Sequence, residues 1–211
     1  MDEQNMDDYW FKEGFFSEDP EEKIACYDRI LESNSLKPPL QNHDMISLIW
    51  SNKGIAYSYL GMHDKALECF DQALQYNKLD VDVWCNKGSA LFNLGRYEEA
   101  VLCYDKVLET DISNENALFN KGIALSHAGK HKEAIDCYSK LHRELEIDNM
   151  FAVIWYRKGI AYATLGQLDE AIKCFLRVLE IDPEHGGAIE GLKRSTLKQK
   201  DQISEGRTSL Q

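Results

Sequence analysis

The sequence lacks any run of apolar residues long enough to cross a membrane. A spanning helix needs about 20 consecutive apolar residues, and every apolar run here is far shorter. The first ten residues, MDEQNMDDYW, are acidic and contain no basic stretch followed by an apolar one, so we expect no signal peptide there. These absences argue against a membrane partner.

Positive charge is also scarce, since 24 Lys and Arg face 36 Asp and Glu, giving a formal net charge of −12. An acidic surface repels phosphate backbones, so we do not expect nucleic acid as a partner. The charge is uneven: residues 1–22 carry nine acids and one Lys, whereas residues 186–211 carry five Lys or Arg and three acids. Either the acidic N-terminal segment and the basic C-terminal segment are both simply solvated, or the acidic end of one molecule attracts the basic end of another.

Motifs for catalysis and for metal binding are missing as well. There is no phosphate-binding loop, no Ser-His-Asp pattern and no Cys-x-x-Cys pair. His127 and His131 flank Gly129 and therefore do not share a helix face, so we expect no metal site. Cys85 is the one cysteine outside the repeat described below, and its reactivity would need a lowered thiol pKa. We predict no enzyme activity and no cofactor.

What the sequence does contain is a repeated helix–turn–helix pattern, as in Trp84 to Leu108. The Gly of an NKG or RKG triplet recurs at positions 54, 88, 122 and 159, so the step is 34, 34 and then 37 residues. A fixed period in this range is typical of stacked helical hairpins. In each second helix an Ala precedes a Phe or Tyr by four residues, which places small and large side chains on one face. A further Gly in each copy is predicted to end the first helix in a left-handed conformation: Gly61, Gly95, Gly129 and Gly166.

Five of the six cysteines occupy one position of the repeat, directly before the aromatic residue of the second helix. They are Cys26, Cys69, Cys103, Cys137 and Cys174. Equivalent sites in neighbouring hairpins are about 10 Å apart, whereas a disulfide needs Cα atoms within about 7 Å. We therefore predict small buried side chains, a reducing compartment and a cytoplasmic location.

The ends of the repeat array are irregular. The WFKEG motif at 10–14 begins a first repeat whose leading helix is about one turn short, and Asp19-Pro20 is predicted to start its second helix. Pro38-Pro39 lies in a segment that is either a spacer or a binding insert. The predicted segments are a disordered N-terminus (1–6), a degenerate first repeat (7–34), a Pro-containing linker (35–46), four repeats (47–80, 81–114, 115–148 and 152–185), a capping helix (186–200) and a disordered tail (201–211).

The 34-residue period, the Trp…Gly…Tyr and Ala…Phe/Tyr patterns and the closing Pro183 resemble the tetratricopeptide repeat family. The resemblance covers about residues 10–200. It implies an all-α fold, an α-solenoid whose antiparallel hairpins form a right-handed superhelix with a C-terminal capping helix. It further implies that the first helices line a concave groove, and that the protein is a binding module for a ligand the resemblance does not specify.

If first helices line a groove, one polar position recurs on it. This position holds Asn52, Asn86, Asn120 and Arg157. A primary amide both donates and accepts hydrogen bonds, so such a row could pair with the backbone of an extended peptide. Nearby aromatic residues would supply apolar pockets: Tyr59, Phe92, Phe119 and Tyr156. The alternative is that each Asn bonds within its own scaffold.

Some members of the family hold the C-terminal carboxylate of heat-shock chaperones with a clamp of Lys, Asn, Asn, Lys and Arg. Asn120 and Arg157 match two clamp positions, but the others hold Cys85, Ser89 and Val153. Because a carboxylate needs more than one cation there, we do not expect chaperone-tail binding.

A second row contains Lys53, Lys87, Lys121 and Lys158. These side chains either form a basic stripe for an acidic ligand or cover apolar surface with their stems. We expect glutamates of the following helices to neutralise them: Glu68, Glu99, Glu133 and Glu170.

These patterns together predict a non-enzymatic scaffold or adaptor that binds a peptide segment of a protein partner in the concave groove. The alternative is self-assembly into a homo-oligomer through the divergent N-terminal repeat or the C-terminal helix. This alternative rests on the charge asymmetry and on aromatic residues that we expect to be exposed in the shortened repeat: Trp10, Phe11, Phe15 and Phe16.

Overall fold

A computed structural model describes residues 3–33, 43–141 and 149–208. Within these ranges the chain forms eleven α-helices and no strand, which confirms the all-α prediction. They are α1 (Glu3–Phe16), α2 (Pro20–Glu32), α3 (His43–Tyr59), α4 (His63–Tyr76), α5 (Val81–Asn93), α6 (Tyr97–Thr110), α7 (Glu115–His127), α8 (His131–Lys140), α9 (Asn149–Thr164), α10 (Leu168–Ile181) and α11 (Gly186–Thr208). None of the described helices is long and apolar enough to cross a membrane.

The helices pack as hairpins within two compact units, one ending at Ile112 and the other beginning at Ser113. The first unit contains the pairs α1–α2, α3–α4 and α5–α6. The second contains α7–α8 and α9–α10, with α11 packed against α10 and α9. The odd-numbered helices α1 to α9 are the first helices of their hairpins, and the even-numbered ones are the second helices.

Each hairpin is closed by an aromatic side chain of the second helix lying on a glycine of the first. A Cβ atom added to Gly122 would lie 2.5 Å from Cε1 of Tyr138, and one added to Gly88 would lie 2.8 Å from Cε1 of Tyr104. Tyr138 and Tyr104 are each 2% exposed. Burying a side chain of this size contributes on the order of 2 kcal/mol. The alanine four residues before each of these tyrosines is buried as well, with Ala100 and Ala134 both 0% exposed, so the predicted small–large face of the second helix is confirmed.

The predicted turn glycines are confirmed too, with φ of +71° at Gly61, +75° at Gly95, +77° at Gly129 and +73° at Gly166. After the glycine, the chain folds back on the first helix: the Met62 N–H donates to the Tyr57 carbonyl at 2.9 Å, and the Arg96 N–H does the same to Leu91. These bonds satisfy carbonyls left open at a helix end. The residue type is required because a left-handed backbone is cheap only for glycine.

All six cysteines are free thiols. The five at the repeated position are 2–6% exposed and lie beside the closing aromatic residue. Their predicted role as small core residues is confirmed.

The ends of the chain differ from the sequence prediction. α1 begins at Glu3, inside the range 1–6 for which disorder is predicted, and it ends two residues after Gly14. The missing turn is therefore at its C-terminal end and leaves Phe16 76% exposed. α11 continues to Thr208 rather than ending near residue 200, because no proline interrupts it. Residues 35–42 of the predicted linker lie outside the described ranges, whereas its last four residues, 43–46, form the first turn of α3. The three extra residues of the last step are predicted near 145–150, where 145–148 lie outside the described ranges and α9 begins at Asn149.

Candidate peptide-binding surface

The sequence predicts a binding surface on one side of the first helices, and the structure allows this face to be described in each unit separately. We call it the first-helix face and define it by the helix side that carries Asn52, Asn86, Asn120 and Arg157. In the first unit it belongs to α3 and α5, and in the second unit to α7 and α9.

In the first unit, Asn86 lies half-buried on α5, and its side-chain amide makes no hydrogen bond with any described residue. The preceding closing aromatic residue is Phe70, which has no hydroxyl group to offer. Asn52 on α3 is different, because the preceding closing residue is Tyr27. Burial raises the pKa of Tyr27 and the neighbouring Asn52 opposes that rise, yet Nδ2 of Asn52 is buried without an acceptor in hydrogen-bond range. We therefore treat Asn52 and Tyr27 as neighbours rather than a bonded pair.

The two aromatic candidates of the first unit have different environments. Tyr59, the last residue of α3, is 79% exposed, so its ring is available to a ligand. Phe92 is half-buried, and its ring centroid lies 5.3 Å from that of Tyr97 across the turn of the same hairpin. Tyr59 thus fits an apolar contact site, whereas Phe92 contributes chiefly to closing its hairpin.

In the second unit, Asn120 lies half-buried on α7, and its side-chain amide makes no hydrogen bond with a described residue. Arg157 on α9 stacks its guanidinium 6.0 Å from the centre of the Phe119 ring, and its Nε is buried without a partner. Burial raises the pKa of Tyr138, while its hydrogen bond with Ser126 and the positive charge of Arg157 oppose that rise. The structure brings Phe119 and Arg157 together as an aromatic–cation pair.

Tyr156 does not lie open on this surface. Its ring centroid is 6.1 Å from that of Phe175 and 4.7 Å from that of His185, and a Cβ atom on Gly187 would collide with its hydroxyl end. Tyr156 therefore fills the contact between α9 and the start of α11. The periodicity could not reveal this, because the capping helix falls outside the repeat.

Comparison with known proteins supports the repeat assignment. The sequence model of the family described as Tetratricopeptide repeat matches residues 47–78, 81–114 and 152–185. The protein contains tetratricopeptide repeats. A search of curated proteins finds no match.

Solved structures of other tetratricopeptide-repeat proteins share the fold. YrrB, described as a TPR protein with an unusual peptide-binding site, is 22% identical over 82% of this chain and 84% of its own, with a TM-score of 0.69. A MamA protein is 20% identical over 86% and 94%, with a TM-score of 0.72. MamA from Desulfovibrio magneticus RS-1 is 16% identical over 88% and 98%, with a TM-score of 0.71. At these identities the likeness concerns the fold.

The lysine row of the tetratricopeptide repeats forms its ion pairs with the preceding hairpin. Lys53 forms an ion pair with Asp28, and Lys87 forms one with Asp71. A hydrogen bond from Arg96 and, to a smaller extent, the charge of Lys87 lower the pKa of Glu99, so this glutamate contributes to neutralising Lys87 as expected. The two ion pairs themselves are made to aspartates of the preceding second helix rather than to the following glutamates. The reason is geometric, since the aspartate two residues after the buried cysteine faces the next hairpin.

Two apolar residues of the first-helix face are expected from the helical register to face the groove, although they are not among the eight candidate site residues. Leu48 precedes Asn52 by one helical turn and is 45% exposed, and Ile160 follows Arg157 by three residues and is 42% exposed. Their register on the helix was the available signal, because it places each beside a polar member of the row.

Proposed function

We propose that this protein is a non-enzymatic interaction scaffold that binds a peptide segment of a protein partner on its first-helix faces. The observation that carries the proposal is the half-buried amide of Asn86, which has no hydrogen-bond partner in the described part of the chain. Asn120 repeats this arrangement in the second unit. A side-chain amide without a partner in the protein can form a hydrogen bond with a ligand without first breaking one within the protein. Ligand binding there is therefore more favourable than at an amide that is already bonded.

The surroundings of the two amides support the same ligand class. Tyr59 and Leu48 offer apolar contact on α3, and Ile160 does so on α9. The amides can hydrogen-bond the backbone of a peptide, and the apolar residues beside them can contact its side chains. This combination suits an extended peptide as the ligand. Arg157 adds a cation suited to a peptide carbonyl or carboxylate. The peptide-binding site named for YrrB supports peptide as the ligand class.

The experiment is a pair of substitutions measured against a partner obtained by affinity purification. Asn86→Ala in the first unit and Asn120→Ala in the second are expected to weaken partner binding, together more than tenfold, without changing helicity by circular dichroism. Gln75→Ala, an exposed change on the second helix α4, is the matched control and should leave the affinity unchanged. Unchanged affinity in the double Asn variant would remove the first-helix face as the binding surface.

Self-association is the second candidate, and the exposure of two of the four aromatic residues of α1 favours it. The expectation of exposure is wrong for Trp10 and Phe11, which are half-buried against the core of their unit. Phe15 is 54% exposed, Phe16 is 76% exposed, and their rings contact each other at 5.3 Å. Exposed large aromatic residues that touch each other mark an interaction surface more often than single ones do. Light scattering of the full chain decides the question. A monomer at high concentration excludes this candidate, whereas an oligomer that Phe15→Ser with Phe16→Ser dissociates supports it.

A further inference from the structure

The lysines that precede the closing glycines have two partners in the first unit. Lys53 lies 5.0 Å from the ring centre of Trp50, and Lys87 lies 5.3 Å from that of Trp84. Each also forms an ion pair with the aspartate of the preceding second helix. The cation is thus held between an aromatic face and a carboxylate at both places.

In the second unit this arrangement is incomplete. Lys158 keeps the aromatic partner, since its Nζ lies 5.2 Å from the ring centre of Trp155. The position of the aspartate is occupied by Ser139, whose hydroxyl donates to the Ile135 carbonyl of its own helix at 2.7 Å. No carboxylate in the described part of the chain forms an ion pair with Lys158, which is half-buried. A partly desolvated ammonium without a counter-ion is the kind of group that a ligand carboxylate stabilises.

A cavity of about 470 Å³ opens at this lysine between α9 and α10. Among the residues that the structure describes, three cations and two carboxylates line it. Both of these carboxylates already have a partner: Glu170 pairs with Lys173 at 2.7 Å and Glu180 with Arg177 at 2.5 Å. Of the three described cations, Lys158 is therefore the one without an ion pair.

The equivalent cavity of the first unit, about 590 Å³, has three cations but four carboxylates along its wall. Helix α4 contributes Glu68 and Asp71 to that wall, whereas no residue of α8 lines the second cavity. Helix α8 is four residues shorter than α4, with 10 residues against 14. The two cavities are built from equivalent positions. Among the described lining residues, carboxylates outnumber cations in the first cavity, whereas cations outnumber carboxylates in the second.

We propose that the cavity at Lys158 binds an acidic side chain of a partner peptide, with the carboxylate taking the place of the missing aspartate. An apolar neighbour in that peptide would contact Trp155 and Leu176, of which Leu176 is 46% exposed. The site uses a side of α9 different from that of Arg157, because positions 155 and 158 are rotated away from 157 by about 160° and 100° on a helix. It is therefore separate from the first-helix face and does not depend on that surface binding peptide.

The test uses the full chain and two short probes, N-acetyl-Leu-Glu-Leu-amide and its Gln counterpart, followed by NMR at the Trp155 indole N–H and the Lys158 ammonium. The Glu probe should bind roughly threefold more tightly than the Gln probe, as expected for one partly exposed ion pair. Lys158→Met keeps the stem over Trp155 and should remove this preference. Lys87→Met, at the already paired position of the first unit, is the matched control and should leave it intact.

Ser139→Asp provides a second, independent variant, because it introduces the aspartate that the first three hairpins have at this position (Asp28, Asp71 and Asp105). It should shift the Lys158 ammonium signal and bring the two probes to equal affinity without damaging the fold. Equal affinity of the two probes for the unaltered protein would overturn the proposal. So would a preference for Glu that survives in Lys158→Met, or one that survives in Ser139→Asp after the ammonium signal has shifted.

Discussion

Lys87 Nζ lies 2.5 Å from Oδ1 of Asp71, and this ion pair joins helix α5 to the second helix of the preceding hairpin. The Asp71 side chain is 55% exposed, so water and salt screen the pair. Its contribution is therefore small, although the Trp84 ring beneath the ammonium adds to it. Interactions of this kind recur between hairpins, and in a repeat protein the stability is approximately a sum of such neighbour contacts.

A double-mutant cycle with Lys87→Met and Asp71→Asn should give a coupling free energy of about 0.5 kcal/mol for this pair. The free energy of unfolding is measured by urea denaturation at low and at high salt. The coupling should shrink at high salt, because screening weakens a half-exposed pair. A coupling that is absent at low salt, or that is unaffected by salt, would contradict the assignment.

Gly122→Ala should destabilise the fourth hairpin, since the new Cβ would lie 2.5 Å from the Tyr138 ring. We expect a loss of about 1–3 kcal/mol in the free energy of unfolding, the usual cost of overpacking a core. Gly186→Ala, at the first residue of α11, is the control because its new Cβ would have no neighbouring atom within 4 Å. Equal midpoints for the two variants in urea would show that close helix approach does not limit the fold.

Stability should fall as pH rises above the ordinary thiol range. Burial raises the pKa of Cys69, Cys103 and Cys174 from 9.0 to about 11. The folded state therefore holds these protons more tightly than the unfolded state does, so the stabilisation is complete below pH 9 and is lost between pH 9 and 11. Replacing Cys103 by Ala should reduce the fall in unfolding free energy between pH 8 and 10 by about 1 kcal/mol. An identical fall in this variant and the unaltered protein would show that the thiol is not buried as described.

The fold was largely predictable because equivalent residues make the same packing contacts in each copy of the repeat. Gly88 and Tyr104, like Gly122 and Tyr138, are 16 residues apart, as are the equivalent residues of the other two full copies. A pattern that recurs in this way shows which residues are structural. The two ends of the repeat array were harder to predict. The length of α11 and the exposure of Phe16 depend on segments that occur only once in the chain, so no equivalent copy shows which of their residues are structural.

The candidate site was only partly predictable, for a related reason. The register of Asn52 and Asn86 follows from helical periodicity, but their partners do not. Asn52 lies beside Tyr27, whereas the hairpin before Asn86 closes with Phe70, so equivalent amides have different neighbours. Tyr156 was predicted for the site because its repeat position matches, yet its environment is set by α11, which is outside the repeat.

The most direct measurement of the central claim is site-specific photo-crosslinking to a partner obtained by affinity purification. A benzophenone amino acid replaces Tyr59 on the first-helix face in one sample and Leu102 on the second helix α6 in another; both positions are exposed, at 79% and 63%. We predict a covalent adduct from position 59 that Asn86→Ala weakens, and none from position 102. An adduct from position 102 with none from position 59 would contradict peptide binding on the first-helix face.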